Sequence, residues 1–111
     1  MMRFRVSRDA ERDLDEIFVY WAKRASLEVA DRLIDSITDR FWLPGEYPHA
    51  GKLADEIAAG VKCFPAGKYL IYYRKTSRHT EILHIFHSAQ ERSQAIRKSA
   101  RRDRRQTKTS G

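Results

Sequence analysis

The side chains that could do chemistry in this chain are basic and imidazole groups spread over its second half. Arginine and lysine can hold a phosphate and stabilise the charge that develops on it, while histidine can move protons. Such groups indicate RNA cleavage as one candidate activity, with a site made of Lys62, Arg74, His84 and His87. Basic residues on strands are more often solvated or paired with acids, so their positions in the fold must decide between the two roles.

The sequence contains no recognisable pattern of metal ligands. His84 and His87 are three positions apart on a predicted strand, so their side chains should point to opposite faces. Cys63 is the only cysteine, which excludes a zinc cluster built from cysteines. A nucleophilic pair of Cys63 with a histidine would need an orienting third group. We interpret Cys63 as a small apolar residue of a strand, and we expect neither a metal nor a cofactor.

The positive charge of the chain is concentrated at its C-terminal end. The net charge is +7 over 111 residues, and residues 97–111 contain seven basic side chains against the single acid Asp103. A basic fold would favour nucleic acid as the partner, whereas a basic tail attracts any polyanion, including an acidic protein. We predict one domain at residues 1–96 and a basic, flexible tail at residues 97–111.

The composition also bears on the compartment of the protein. No apolar run approaches the roughly 20 residues that span a bilayer. The N-terminal residues lack the apolar stretch of a signal peptide. The single cysteine cannot form an internal disulfide, as is usual in a reducing environment. These features predict a cytoplasmic protein.

The elements that would position the candidate side chains follow from the spacing of apolar residues. Residues 3–7 alternate polar and apolar and predict a strand. Ser7 and Ser26 are suitable N-caps for two helices. The apolar stripe of the first helix runs from Ala10 to Trp21, and that of the second ends at Phe41, before Pro44. Because few residues join the two helices, we expect an antiparallel hairpin.

Three strands are predicted in the second half of the chain, at residues 61–64, 69–75 and 81–87. Short loops join them as antiparallel hairpins. One helical turn is expected within residues 52–59, and a C-terminal helix within residues 89–100. The predicted fold is therefore α+β, in the order β-α-α-β-β-β, with a helical hairpin packed on one face of a mainly antiparallel sheet.

The opposite face of this sheet is expected to remain apolar. The helical hairpin can bury only one face, and the other still presents Leu70, Tyr72, Ile82 and Phe86. An apolar face without a cover from the same chain indicates a partner. The alternative is that the C-terminal helix folds over it.

Five short motifs occur in the order found in the RelE/ParE superfamily of bacterial toxins. They are Ala10–x2–Asp13-Leu14–x2–Ile17–x2–Tyr20 in the first helix, Pro48–x2–Gly51 in a loop, Gly60-Val61-Lys62, Tyr69-Leu70-Ile71-Tyr72-Tyr73-Arg74 in the central strand, and Ile82–x2–Ile85–x–His87 in the last strand. The chain resembles this superfamily over residues 3–96. Its local residues are more similar to ParE than to RelE.

The resemblance implies a toxin that inhibits DNA gyrase by protein–protein binding and is held inactive, as a hetero-oligomer, by a ParD-like antitoxin. The mRNA-cleaving relatives carry an arginine directly after the first tyrosine of the central strand and another beyond the last strand. Leu70 and Gln90 stand at those positions here, which argues against the RelE-type ribosome-dependent endoribonuclease. That activity remains the alternative. Because Gln90-Glu91 replaces the Arg-Asp common in ParE-like proteins, a non-toxic antitoxin-binding member also remains open.

We predict that a partner segment folds across the second sheet face. The predicted contact residues are Leu70, Tyr72, Arg74, Ile82, His84, Phe86 and Arg92. The helical hairpin, with Trp21, Phe41 and Trp42, is a second candidate surface. Alanine at Arg74 and Phe86 should weaken antitoxin binding while the fold remains intact.

Overall fold

The computed structural model describes residues 3–47 and 49–88, which form a helical hairpin on a five-stranded sheet. The elements are β1 (Arg3–Val6), α1 (Arg8–Arg24), α2 (Leu27–Thr38), α3 (Leu43–Glu46), β2 (Lys52–Leu53), β3 (Lys62–Ala66), β4 (Tyr69–Lys75) and β5 (His79–His87). The predicted α+β class and the order of its main elements are confirmed. None of the helices within these residues is long and apolar enough to cross a bilayer.

The strands are ordered β1-β5-β4-β3-β2 across the sheet. β1 and β5, the first and last strands of the described residues, pair in parallel, and the other neighbours in the sheet are antiparallel. The helical turn predicted within residues 52–59 is wrong in part, because Lys52 and Leu53 pair with the edge of β3 instead. The backbone of these two residues gains hydrogen-bond partners in the sheet, and the side chain of Leu53 is exposed there.

Both predicted helix caps are present. The Ser7 hydroxyl accepts a hydrogen bond from the Ala10 N–H at 3.0 Å, and the Ser26 hydroxyl accepts one from the Val29 N–H at 3.1 Å. Ser7 also donates its hydroxyl to the Leu83 carbonyl at 2.9 Å. The start of α1 is therefore fixed both to its own first turn and to β5.

Two apolar cores lie on opposite faces of the sheet. The larger one joins the hairpin stripes to the first face and includes Ile17, Ile37, Ile71 and Tyr73. The smaller one covers Tyr72 and Phe86 on the second face with Ala54, Ile57 and Val61. The prediction that the second face has no cover from the same chain is therefore wrong at its centre, because the segment before β3 folds over it. The predicted C-terminal helix lies outside the described residues.

A β-bulge in β5 changes the sheet face on which the side chains in the first half of this strand lie. Tyr72 is paired with His84, but the next residue, Tyr73, is paired with Ile82, so Leu83 is an extra residue on β5. One inserted residue reverses the alternation of side chains along a strand. Ile82 therefore belongs to the helix-side core and Leu83 packs against the smaller core. The prediction that Ile82 lies on the second face is wrong for this reason.

Gly51 lies against the side chain of Tyr73, which is fully buried in the centre of the sheet. A Cβ atom at position 51 would be 2.9 Å from ring carbon Cε1 of Tyr73 and 3.0 Å from the Cys63 carbonyl oxygen, and it would collide with the tyrosine hydroxyl. Burial raises the pKa of the Tyr73 hydroxyl, and the backbone of the adjoining Gly51 partly offsets this rise. Glycine at this position thus makes room for a buried tyrosine.

Candidate partner-binding surfaces

The residues proposed for RNA cleavage are divided between the two faces of the sheet. Directly paired residues of neighbouring strands share a face. Lys62 is paired with Tyr73, whose side chain lies in the helix-side core, and His87 is paired with Tyr69 of the same core. Arg74 is paired with Glu81, and His84 with Tyr72 of the smaller core. The described residues thus do not bring these four side chains together around one phosphate.

His84 is held by a carboxylate of helix α1. Its Nδ1 atom is 3.2 Å from Oδ2 of Asp13, and the same oxygen accepts a hydrogen bond from the Ile85 backbone N–H at 3.1 Å. The His84 ring also stacks on Phe86, with ring centroids 4.8 Å apart. β1 ends at Val6, which is paired with Ile82, so among the described residues the part of β5 after Ile82 has no strand on that side. Asp13 supplies the hydrogen-bond acceptor for Ile85 there. We interpret His84 as a structural residue of this sheet edge.

Several residues predicted to contact a partner are buried. Tyr72 and Ile82 have no exposed surface and Phe86 is 7% exposed. Leu70 is half-buried at the margin of the smaller core. The side chain of Arg74 is half-exposed and lies 4.0 Å from Glu81. Arg92 lies outside the described residues. Alanine at Phe86 would remove a buried ring that packs on Tyr72, so we expect this change to lower the stability of the fold as well.

Of the three residues predicted for the second surface, on the hairpin, two pack in or against the core and one is exposed. Phe41 is buried in the helix-side core, and Trp21 packs against that core while its indole N–H donates to the Tyr69 hydroxyl at 2.8 Å. Trp42 is exposed and lies beside the exposed ring of Tyr47, with ring centroids 6.4 Å apart. Trp42 is therefore the one of these three residues that is available as an anchor.

Four large apolar side chains toward the end of the hairpin where α1 meets α2 are exposed, which the spacing analysis did not predict. We call these four residues the hairpin-end patch; they are Val19, Tyr20, Leu27 and Val29, each at least 40% exposed. Leu27 is 65% exposed. The sequence signal was present, since these residues are apolar but lie outside the stripes that face the sheet. Large exposed apolar side chains are candidates for contact with a partner protein.

A groove of about 470 Å³ lies between α1 and the paired ends of β4 and β5. We call it the α1–β5 groove. The α1 side contributes the carboxylates of Asp13 and Glu16 and the rings of Tyr20 and Trp21, and the sheet side contributes Tyr69 and His87. The His87 ring meets the Tyr69 ring edge to face, with centroids 5.4 Å apart. The groove is thus aromatic with an acidic rim on α1.

Residues 3–47 and 49–88 contain no group of three histidine, cysteine or carboxylate side chains arranged to hold a metal ion.

Comparison with known proteins gives a consistent result. A family model described as the ParE toxin of the type II toxin–antitoxin system parDE matches residues 4–92. Toxin ParE1 of Caulobacter vibrioides is 28% identical over 89 residues, which cover 80% of this chain and 92% of that protein.

Solved structures share the fold. A structure of the chromosomal ParDE system from P. aeruginosa matches with a TM-score of 0.68 at 20% identity, over 78% of this chain and 96% of that one. The toxin–antitoxin complex RelBE2 from Mycobacterium tuberculosis matches with a TM-score of 0.59 at 21% identity, over the same shares of the two chains. The resemblance seen in the sequence is confirmed, and this chain belongs to the ParE toxin family of type II toxin–antitoxin systems.

Proposed function

We propose that this protein inhibits DNA gyrase by binding to it, and that a ParD-like antitoxin neutralises it in a hetero-oligomeric complex. The main support is the division of Lys62, His87, Arg74 and His84 between two sheet faces, because a nuclease site must place its groups around one phosphate. Leu70, which stands where the mRNA-cleaving relatives carry arginine, also argues against RNA cleavage. An inhibitor that acts by binding needs only a complementary surface.

Two regions of the described surface fit the antitoxin. The hairpin-end patch offers exposed apolar side chains on both helices of the hairpin, against which a partner helix can bury its own apolar face. The second sheet face offers half-buried Leu70 and Leu83 beside the exposed guanidinium of Arg74. Arginine and apolar anchors of this kind dominate most protein interfaces. A segment that folds on binding can span both regions.

The target is tested by measuring DNA supercoiling by purified gyrase with the antitoxin-free protein present. We expect loss of supercoiling and accumulation of cleaved DNA, both reversed when the antitoxin is added first. Normal supercoiling by a protein that still arrests growth, together with cut mRNA in the arrested cells, would replace gyrase with RNA as the target. A folded protein that binds antitoxin but neither arrests growth nor affects gyrase would be a non-toxic family member.

The two antitoxin-binding regions are tested with one variant each. We expect Arg74→Ala to raise the Kd for the antitoxin about 5- to 30-fold, the usual effect of losing an arginine anchor. Leu27→Glu should raise it at least tenfold, since a carboxylate would be buried in an apolar contact. Leu27 is the first residue of α2, where an acid suits the helix dipole, so this variant should fold normally.

Titration calorimetry gives the Kd values, and Arg32 provides matched controls. Its side chain is 80% exposed on α2, and its only described ion pair, with Glu28, is also exposed. Arg32→Ala and Arg32→Glu should therefore leave the affinity unchanged. A variant at Arg74 or Leu27 that binds like its Arg32 control would exclude that region from the interface.

A further inference from the structure

The α1–β5 groove has the composition of a site for a cationic side chain. Tyr20, Trp21 and Tyr69 present aromatic rings there, and Glu16 adds an exposed carboxylate that forms no ion pair within the described residues. Cations bind over aromatic faces, and guanidinium groups bind carboxylates. One cation–π contact is already present at this ring, since the guanidinium carbon of Arg24 is 4.8 Å from the centroid of Tyr20.

The helix that forms one wall of the groove is itself acidic. Residues 8–16 of α1 contain five carboxylates and two arginines. Asp13 is fixed to the edge of β5, while Glu16 and Asp15 are exposed. The rim of the groove on α1 is therefore negative, and a positive segment would be attracted to it.

The chain itself supplies such a segment next to the groove. His87 and Lys68 both line it, and the N–H of Ser88, the last described residue, donates to the Lys68 carbonyl at 2.8 Å. Residues 89–111, which follow directly, contain eight basic and two acidic side chains. Eight residues, 89–96, separate Ser88 from the basic run, so Arg97 can lie up to roughly 30 Å from Ser88. A tethered ligand at this distance has an effective concentration in the millimolar range.

We propose that the basic C-terminal segment, residues 89–111, binds in the α1–β5 groove of its own chain. An arginine of residues 97–105 lies against the aromatic rings and pairs with Glu16. A partner that uses the groove must then displace this segment, so the chain competes with its partners for its own surface.

The test uses paramagnetic relaxation in solution on the full-length, antitoxin-free chain. A nitroxide is attached at Gln106→Cys in a Cys63→Ser background. The two tryptophans report on different places, because Trp21 lies in the groove and Trp42 is outside it. At low salt we expect the Trp21 indole signal to lose at least half of its intensity while the Trp42 signal stays sharp. High salt should restore Trp21, because the contact is electrostatic.

Matched charge reversals identify the contact. Glu16→Lys should restore the Trp21 signal, whereas Glu28→Lys, at an exposed acid on α2, should not. Equal broadening of both tryptophans, no broadening at all, or the same result for the two reversals would overturn the proposal. A mixture of nitroxide-carrying chains with isotope-labelled chains that carry no nitroxide tests whether the contact is within one chain. Broadening of the Trp21 signal in that mixture would assign the contact to a second copy instead.

Discussion

Replacing Asp13 with alanine is expected to lower the free energy of unfolding by about 2–4 kcal/mol. One carboxylate oxygen accepts the Ile85 backbone N–H and lies within hydrogen-bond distance of Nδ1 of His84. The side chains of Asp13 and His84 are only 13% and 10% exposed, so water cannot easily replace the lost acceptor. The Ile85 N–H would lose its acceptor, and a buried donor without an acceptor carries a desolvation penalty. Urea unfolding monitored by circular dichroism measures the difference.

Asp15 provides the matched control for this variant. It lies two residues further along α1 and is exposed, so Asp15→Ala makes the same change in charge and helix propensity without removing a buried acceptor. Asp13→Asn keeps one oxygen in place and should lose less stability than Asp13→Ala. If the alanine variants at positions 13 and 15 unfolded at the same urea concentration, Asp13 would have no role in holding the edge of β5.

Gly51→Ala is expected to destabilise the fold by about 1–3 kcal/mol, the usual cost of overpacking a core. The backbone of Gly51 is not among the positive-φ glycines, which are Gly60 and Gly67. Alanine would therefore ordinarily stabilise such a position by restricting the unfolded chain. The opposite sign is expected because the new methyl group would meet the hydroxyl and ring of Tyr73, which is fully buried.

Tyr73→Phe tests the cause of this effect. Removing the hydroxyl relieves the closest of the contacts, so the double variant should be more stable than the sum of the single changes predicts, with a coupling of about 0.5–3 kcal/mol. Thermal and urea unfolding of the unaltered protein, the two single variants and the double variant give the four values of this double-mutant cycle. Strict additivity of the two changes would show that the collision with Tyr73 is not what excludes a side chain at position 51.

The local rules were sufficient for the starts of α1 and α2 and for the order of the main strands. The predicted end of the second helix was wrong, because α2 ends at Thr38 and Pro44 lies inside the short helix α3. Ser7 and Ser26 cap the helices, and the stripes that include Ala10, Ile17 and Ile37 face the sheet as their spacing predicts. These features depend on residues close together in sequence, and the sequence displays them directly. The motifs shared with the ParE family were readable for the same reason.

The candidate sites depended on features that no local pattern encodes. The bulge at Leu83 arises from pairing between two strands, and it moved Ile82 to the other face. The cover over Tyr72 comes from residues 54–61, whose apolar side chains show no strong periodicity. Exposure is decided by such long-range packing. Leu70 and Arg74 thus remain accessible, whereas Tyr72 and Phe86, which look equivalent in the sequence, are buried.

The parallel pairing of β1 with β5 also determines when this protein can finish folding during its synthesis. Ser7 and Leu83, which are joined by a hydrogen bond, are 76 positions apart, so the first strand has no sheet neighbour until the last one is available. A growing chain can form its helical hairpin early, because that contact is local, but the sheet must wait for β5 to leave the ribosome. The nascent toxin is therefore expected to reach its native surface only after β5 has been translated.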